Sequence, residues 1–244
     1  HNDLEQFEKA VADYDKAIEL DPKYAAAYNN RGNAHDDLEQ FEKAVADYDK
    51  AIELDPKYAA AYNNRGNVHY DLEQFEKAVA DYDKAIELDP KDAIAYKNRG
   101  RLRFILGQFV KAEQDLTKST KLRTTDGYTV IWNHLSRARA GNLKIDMLRG
   151  DAKMISFDVW PGPVISMFLG TRTPEEVQAA AQNDDPSVNR DQLCEAQFYI
   201  GQLRLVEGRG DEAALLFRNA SDTCPKSFVE YAGSKAELRR MGAE

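Results

Sequence analysis

AAAYNNRGNAHDDLEQFEKAVADYDKAIELDPKY occupies residues 25–58, and this stretch returns over residues 59–92 with 31 of its 34 positions unchanged. Residues 1–24 repeat residues 35–58 with one difference, Asn2 in place of Asp36. Self-similarity at such a period is typical of chains built from stacked supersecondary units. We therefore expect a repeat architecture in which the opening unit, residues 1–24, contributes only its second helix.

Each unit contains two segments in which aromatic and small residues recur at spacings of three and four, which predicts two amphipathic helices. In residues 25–58 these positions are Tyr28, Gly32 and His35 in the first helix, and Ala44, Tyr48 and Ala51 in the second. Pro56 ends the second helix, because proline disfavours a helical conformation in the residue before it. Glu39 and Glu73 occupy the turn where the fourth unit has Gly107, so we expect a backbone there that favours glycine.

The pattern of aromatic, glycine, alanine, aromatic, alanine and proline at positions 4, 8, 20, 24, 27 and 32 resembles the tetratricopeptide repeat (TPR). Tyr28, Gly32, Ala44, Tyr48, Ala51 and Pro56 fill those positions. The resemblance implies an all-α fold, a right-handed solenoid of helix-turn-helix units. We expect a partial repeat (1–24), repeats at 25–58 and 59–92, a diverged basic repeat (93–126), an irregular helical segment (127–193), and a TPR-like unit with a capping helix (194–244).

The irregular segment contains its own helix signals. Residues 127–140 and about 142–150 read as helices, the WPGP stretch (160–163) as a break, and residues 164–170 as a short buried helix. Thr173 followed by Pro174 and Glu176 predicts a capped helix start. Asp184-Asp185-Pro186 then predicts a break before the terminal TPR-like unit.

Three blocks near the end of the chain resemble the C-terminal half of NlpI, a family of bacterial TPR lipoproteins. They are FLGTRTPEEV (168–177), QFYIGQLRLVEG (197–208) and FVEYAGSKAEL (228–238). The resemblance implies a dimeric protein of the bacterial cell envelope or periplasm, and an adaptor that brings peptidoglycan hydrolases to a processing protease. A cytoplasmic location is the alternative.

Composition and motifs argue against several function classes. The formal net charge of −9 disfavours nucleic-acid binding, which needs basic surface to replace counterions. No apolar run approaches the roughly 18 residues of a membrane span. Because no metal-ligand spacing, phosphate loop or nucleophile motif occurs, we expect no enzyme, cofactor or metal site. His35 and His69 repeat at one buried position and are interpreted as core residues.

The run YNNRGN (28–33 and 62–67) becomes YKNRGR at 96–101 and supplies the candidate binding residues. In TPR stacks the fifth, sixth and ninth positions face the concave groove. Here they are Asn29, Asn30, Asn33, Asn63, Asn64, Asn67, Lys97, Asn98 and Arg101. An amide both donates and accepts, so a ladder of asparagines can pair with the backbone of an extended peptide. The alternative is that the asparagines bond to neighbouring helices or face water.

Arginine at the seventh position, as in Arg31, faces the partner helix instead. We interpret it as a structural residue, with Asp47 and Asp49 as its expected ion-pair partners.

Charge changes abruptly at the fourth unit. Residues 25–58 and 59–92 each have a net charge of −4, whereas residues 93–126 have +5. Lys97 and Arg101 bring this charge to the predicted groove, where an acidic or C-terminal segment of a partner could dock. A solvated basic face or a self-association surface is the alternative.

Cys194 and Cys224 occupy the first and thirty-first positions of the last unit. Antiparallel helices bring these positions together, so a disulfide is predicted, one that would add about 3–4 kcal/mol of stability. Such a bond points to an oxidising compartment. Two separate cysteines are the alternative.

The leading functional interpretation is a non-enzymatic adaptor or scaffold that binds a protein or peptide, because solenoids present long concave surfaces. The alternative is a self-associating structural homo-oligomer. Its interface would be the opening helix, about residues 3–20, with Phe7, Val11, Tyr14 and Ile18 exposed as an apolar patch.

Overall fold

A computed structural model describes residues 2–123 and 126–243, and within these ranges it contains fourteen helices and no strand. The predicted all-α fold is confirmed. Residues 1, 124, 125 and 244, at the edges of predicted segments, lie outside the described residues. The first seven helices are α1 (Asn2–Leu20), α2 (Ala25–Asp37), α3 (Phe41–Leu54), α4 (Ala59–Asp71), α5 (Phe75–Leu88), α6 (Ala93–Ile105) and α7 (Phe109–Leu122). The others are α8 (Gly127–Arg139), α9 (Ile145–Asp151), α10 (Gly162–Phe168), α11 (Pro174–Ala180), α12 (Pro186–Val206), α13 (Gly210–Thr223) and α14 (Val229–Met241).

The turn between the two helices of each repeat has the backbone expected from the sequence. Glu39 and Glu73 both adopt a φ of 55°, in the left-handed region that side chains disfavour. Gly107 takes the same region at 74° without a Cβ to clash. Glu39 and Glu73 are therefore strained at this turn. The fourth repeat has the same conformation without that strain, because its residue is glycine.

Close contact between the helices of a repeat explains the glycine at the eighth position. A Cβ added to Gly32 would lie 2.7 Å from Cε1 of Tyr48, closer than packed atoms approach. The same overlap, also 2.7 Å, would occur between Gly201 and Phe217 in the last unit. Glycine at position 8 and an aromatic residue at position 24 thus form one packing unit in both parts of the chain.

The chain divides into two compact units, one ending at Arg99 and one starting at Gly100. In the first unit, small clusters form the core, such as Ala44, Tyr48 and Val68. The second unit has a larger core centred on the fully buried Trp132. The indole stacks on Phe198 at a centroid distance of 5.4 Å and meets the ring of Phe104 edge-on at 5.1 Å.

In the C-terminal part, the structure contains helices where the sequence predicts them, but some of their boundaries differ. Thr173 and Glu176 form the predicted capping box at the start of α11. By contrast, α12 starts at Pro186, eight residues before the predicted unit at 194. The Asp184–Pro186 stretch was predicted only as a break, yet the carboxylate of Asp185 accepts hydrogen bonds from the backbone of Ser187 and Val188 and so starts the helix.

The opening helix is less exposed than expected. The side chains of Phe7, Val11, Tyr14 and Ile18 are half-buried, because α1 packs against α2. The exposed apolar residues near this helix are instead Leu4, Leu20 and Tyr24, with 53%, 88% and 50% of their surfaces accessible.

Candidate functional site

The asparagines of successive repeats are joined by hydrogen bonds. Nδ2 of Asn64 on α4 donates to Oδ1 of Asn29 at 3.1 Å and to Oδ1 of Asn33 at 2.9 Å, both on α2. Nδ2 of Asn29 donates to Oδ1 of Asn30 at 3.2 Å. The amide of Asn64 therefore uses both of its N–H groups to connect its repeat to the preceding repeat.

The same pair of bonds recurs one repeat later. Nδ2 of Asn98 on α6 donates to Oδ1 of Asn63 at 3.3 Å and to Oδ1 of Asn67 at 3.0 Å. This recurrence follows from the sequence, because the three residues stand at identical positions of neighbouring units.

Among the described residues, the amides of Asn33 and Asn67 use their oxygens in the ladder but not their N–H donors. Oδ1 of Asn33 also accepts a hydrogen bond from the hydroxyl of Tyr48 at 2.8 Å, and Oδ1 of Asn67 accepts one from Tyr82 at 2.9 Å. Two donors on each oxygen fix which side of the amide faces the protein. Within the described residues, no hydrogen bond engages Nδ2 of either asparagine, so two identical donors remain one repeat apart.

The asparagines at the fifth and ninth positions of the predicted ladder differ from each other. Asn29 and Asn63 are buried, with 3% and 7% of their surfaces accessible, and their oxygens serve repeat-to-repeat bonding. Asn33 and Asn67 are half-buried, and each keeps one amide donor that has no hydrogen bond among the described residues. The sequence does not distinguish these positions, because the difference depends on the tyrosine of the second helix.

Carboxyl groups lie near this amide ladder. Burial, followed by the nearby charges of Asp71 and Asp37, raises the pKa of Asp36 to about 6. Burial likewise raises the pKa of Asp71 to about 6. The charges of Asp36 and Asp37 also act on the hydroxyl of Tyr48, which is bonded to Asn33. Negative charge therefore lies near the hydroxyl that holds the amide of Asn33.

The two basic residues predicted for the groove have separate environments. Lys97 is half-buried on α6, one residue before Asn98. Arg101 belongs to the second unit, where its guanidinium lies 6.0 Å from the ring centroid of Tyr128 and 5.8 Å from that of Trp132. Its Nε is buried without a hydrogen-bond partner among the described residues. Arg101 is therefore half-buried beside two aromatic rings.

A buried carboxylate network near Arg101 escaped sequence analysis. The hydroxyl of Tyr128 donates to Glu195 at 3.0 Å, and Nε1 of Trp160 donates to it at 2.6 Å. The hydroxyl of Tyr199 donates to Glu230 at 2.5 Å. Only 7% and 3% of the two glutamates is accessible.

Burial is the main cause that raises the pKa of Glu195 to about 7, and the charge of Glu230 raises it further. The hydrogen bonds from Trp160 and Tyr128 and the charge of Arg101 act in the opposite direction. Residues so distant in sequence give no local motif by which the network could be found.

The arginine at position 7 braces the repeats. Nε and Nη2 of Arg31 donate to Asp47 at 2.8 and 2.6 Å, and Nη1 donates to Asp15 of the preceding unit at 2.6 Å. The expected partner Asp47 is confirmed, but Asp49 was wrong. Asp49 pairs instead with Arg65, because the outer carboxylate of each unit faces the next unit.

The repeated histidines are buried, as predicted. Nδ1 of His35 lies 3.0 Å from Oε1 of Gln40, and burial lowers the pKa of His69. Across residues 2–123 and 126–243, no group of three or more histidine, cysteine or acidic side chains is placed to hold a metal ion. Among these residues, too, no helix combines the length and apolar character needed to cross a membrane.

Cys194 on α12 and Cys224, the residue that follows α13, are joined in a disulfide with a Cα–Cα distance of 5.1 Å. The bond fastens the start of the TPR register in α12 to the end of the antiparallel α13. Both cysteines are buried, with 0% and 7% of their surfaces accessible.

Comparison with known proteins agrees with this architecture. Tetratricopeptide-repeat family models match residues 25–58, 59–92 and 81–114, and a TPR-repeat model matches residues 1–38. The Lipoprotein NlpI homolog of Haemophilus influenzae is 30% identical over 119 residues, which span 48% of this chain and 38% of that relative.

Two solved structures share the fold at low identity. A tetratricopeptide repeat protein from Parabacteroides merdae aligns with a TM-score of 0.59 at 18% identity, covering 98% of this chain and 100% of its own. YrrB, described as a TPR protein with an unusual peptide-binding site, aligns with a TM-score of 0.54 at 22% identity, covering 91% and 97%. The chain thus contains tetratricopeptide repeats within residues 1–114 and resembles the NlpI lipoproteins over part of its length.

Proposed function

We propose that the chain is a non-enzymatic adaptor that binds an extended peptide segment through the free amide donors of Asn33 and Asn67. The observation that carries the proposal is the pair of Nδ2 groups left over after the ladder has satisfied its own oxygens. Donors fixed by hydrogen bonds to the protein lose little freedom when a ligand binds, which favours affinity. The TPR fold supports this function, since such solenoids offer extended concave surfaces.

The chemistry of the donors indicates what they recognise. An N–H group donates to a carbonyl oxygen, and every residue of a peptide backbone supplies one. Recognition through Asn33 and Asn67 therefore depends little on ligand sequence. The carboxyl groups of Asp36, Asp37 and Asp71 favour a neutral or basic segment here over the acidic one suggested by the charge of the fourth repeat.

The test uses a substitution that keeps the oxygen of the amide, removes its free donor and adds one negative charge at each position. Asn33→Asp and Asn67→Asp keep an oxygen for the tyrosine and the neighbouring asparagine, but replace the free N–H donor by a second oxygen. Peptides selected from a random displayed library against the unmodified chain serve as ligands, and calorimetry gives their affinities. The double variant should bind them at least about tenfold more weakly, because a lost hydrogen bond at each of two sites contributes about 1 kcal/mol.

The control is Gln6→Glu, which adds a negative charge on the exposed face of α1, away from the ladder. It should leave the affinities unchanged. Equal binding by the unmodified chain and the Asn33→Asp, Asn67→Asp variant would refute the proposed site, provided circular dichroism shows the same helical content.

We further propose that the protein works in an oxidising compartment, the bacterial cell envelope, rather than in the cytoplasm. The disulfide between Cys194 and Cys224 supports this location, because such bonds persist mainly outside reducing compartments. The partial match to a protein named a lipoprotein supports it as well. Fractionation of source cells checks it, and recovery in the cytoplasmic fraction would contradict it.

Self-association remains the second candidate, and the exposed Leu4, Leu20 and Tyr24 favour it. Large apolar side chains that are exposed on or beside a terminal helix can be buried against another chain. Sedimentation velocity over a range of concentrations checks this function. A monomer throughout, or an oligomer unaffected by Leu20→Glu, would rule out this surface.

A further inference from the structure

A pocket of about 460 Å³ lies in the second unit, apart from the amide ladder. Its lining comes from the ends of α8, α12 and α14, and consists of Ala138, Arg139, Leu205, Val206, Glu237, Arg240 and Met241. The volume falls within the roughly 300–1,000 Å³ typical of small-ligand sites. One wall is apolar and the other is charged.

The charged wall holds two guanidinium groups and one carboxylate. Nη1 of Arg139 donates to Oε1 of Glu237 at 2.5 Å, and Nε of Arg240 donates to Oε2 at 3.1 Å. Nε2 of Gln202 adds a further donor to Oε1 at 3.2 Å. Glu237 is fully buried and has both oxygens satisfied, so the pocket lining retains a net charge of +1.

The guanidinium groups are held in place by the protein. Arg139 lies 4.4 Å and Arg240 lies 5.4 Å from the ring centroid of Phe109. Nη1 of Arg240 also donates to the backbone carbonyl of Ile105 at 2.8 Å. Arg139 makes a single hydrogen bond among the described residues, which leaves Nε and Nη2 as donors with a planar geometry suited to a carboxylate.

The apolar wall indicates which chemical group a ligand needs beside its carboxylate. Val206 is exposed over 45% of its surface, and Leu205 and Met241 are half-buried. Covering these side chains releases apolar surface from water, which favours a ligand with an aliphatic group beside its negative charge.

We propose that this pocket binds the free C-terminal carboxylate of a peptide that ends in an aliphatic residue. The carboxylate pairs with Arg139, and the last side chain packs on Leu205, Val206 and Met241. The pocket is separate from the peptide-binding ladder of Asn33 and Asn67, so either site can exist without the other.

The probe is acetyl-Gly-Ser-Gly-Val-Leu with a free carboxylate, compared with the same peptide as a C-terminal amide. Binding to the full chain is followed by amide chemical shifts in nuclear magnetic resonance spectra. The free acid should shift signals of the pocket residues, and the amide should bind at least about tenfold more weakly because it loses the charged partner. Equal binding of acid and amide would overturn the proposal.

Two variants locate the site. Val206→Glu places a negative charge on the exposed wall without changing the buried hydrogen bonds, and it should weaken binding of the acid by about tenfold or more. Leu215→Glu is the matched control, because Leu215 is exposed over 57% of its surface on α13 and does not line the pocket. Unchanged binding in Val206→Glu, or an equal loss in both variants, would refute the location.

Two further arms separate this inference from its alternatives. Decanoate has the same carboxylate and aliphatic chemistry, and its binding in the absence of peptide binding would overturn the assignment to a peptide terminus. The Asn33→Asp, Asn67→Asp variant should bind the acid normally, since the ladder does not contribute to the pocket. A loss there would overturn the independence of the two sites.

Discussion

The ion pairs of Arg65 with Asp81 and Asp49 give the sharpest prediction about stability. Nε and Nη2 of Arg65 donate to Asp81 at 2.9 and 2.5 Å, and Nη1 donates to Asp49 of the preceding repeat at 2.5 Å. The side chain of Asp81 is only 8% accessible, whereas that of Asp49 is 57% accessible. Arg65→Met should therefore remove one inner, buried pair and one outer, exposed pair.

The two arms differ in expected energy. Loss of the exposed arm costs about 0.5 kcal/mol, as is usual for solvent-facing pairs. Loss of the inner arm leaves Asp81 buried without its main partner, and Nε2 of His69 lies 3.7 Å away. Removing one member of a buried pair costs about 3–5 kcal/mol, so we expect Arg65→Met to lower the free energy of unfolding by about 3 kcal/mol.

Urea unfolding at neutral pH, followed by circular dichroism, measures the difference. Asp49→Asn isolates the outer arm and should cost no more than about 1 kcal/mol. Arg65→Met combined with Asp81→Asn should recover part of the loss, because it removes the buried charge left behind. If Arg65→Met costs no more than Asp49→Asn, the inner pair contributes nothing and the reasoning fails.

Three other predictions follow from local chemistry. Glu73→Gly should raise the free energy of unfolding by about 0.5–1 kcal/mol and Gly107→Ala should lower it by about 1 kcal/mol, because both residues have a left-handed backbone; urea midpoints that move the other way would contradict this. Because the pKa of Glu195 is raised to about 7 in the folded state, the protein is more stable when this side chain is protonated and neutral. As the pH falls from about 8 to about 5, Glu195 should add about 2 kcal/mol of stability, and Glu195→Gln should remove this contribution from thermal melts while leaving that of other carboxyl groups with a raised pKa, such as Asp36 and Asp71; an unaltered pH profile in the variant would count against the network. Cys224→Ala should lower stability by about 3 kcal/mol in oxidising buffer and by nothing under reduction, and mass spectrometry of the unreduced chain that finds two free thiols would exclude the bond.

The sequence predicts the repeat helices well because their determinants are local and recur in register. The glycine of position 8 and the tyrosine of position 24 appear together in the sequence and contact each other in the structure, as Gly32 and Tyr48 do. The positive φ of Glu39 could be inferred because a glycine stands at the same turn in the fourth repeat.

The candidate sites were only partly predictable, for a physical reason. Asn33 and Asn29 look alike in sequence, and the difference between them comes from the hydroxyl of Tyr48, fifteen positions away from Asn33. The network at Glu195 and the pocket at Arg139 draw on elements up to about one hundred residues apart, as the bond from Arg139 to Glu237 shows. Such contacts depend on tertiary packing, which no local pattern encodes.

The contacts between neighbouring repeats also bear on how such a chain can change in length. Asn64 and Arg65 meet their partners in the preceding unit, and Asn98 and Arg99 meet theirs in the same way. Insertion or removal of one whole 34-residue unit would therefore rebuild every one of these bonds between new neighbours. A gene with near-identical repeats can lengthen or shorten its binding surface by recombination, without any compensating substitution.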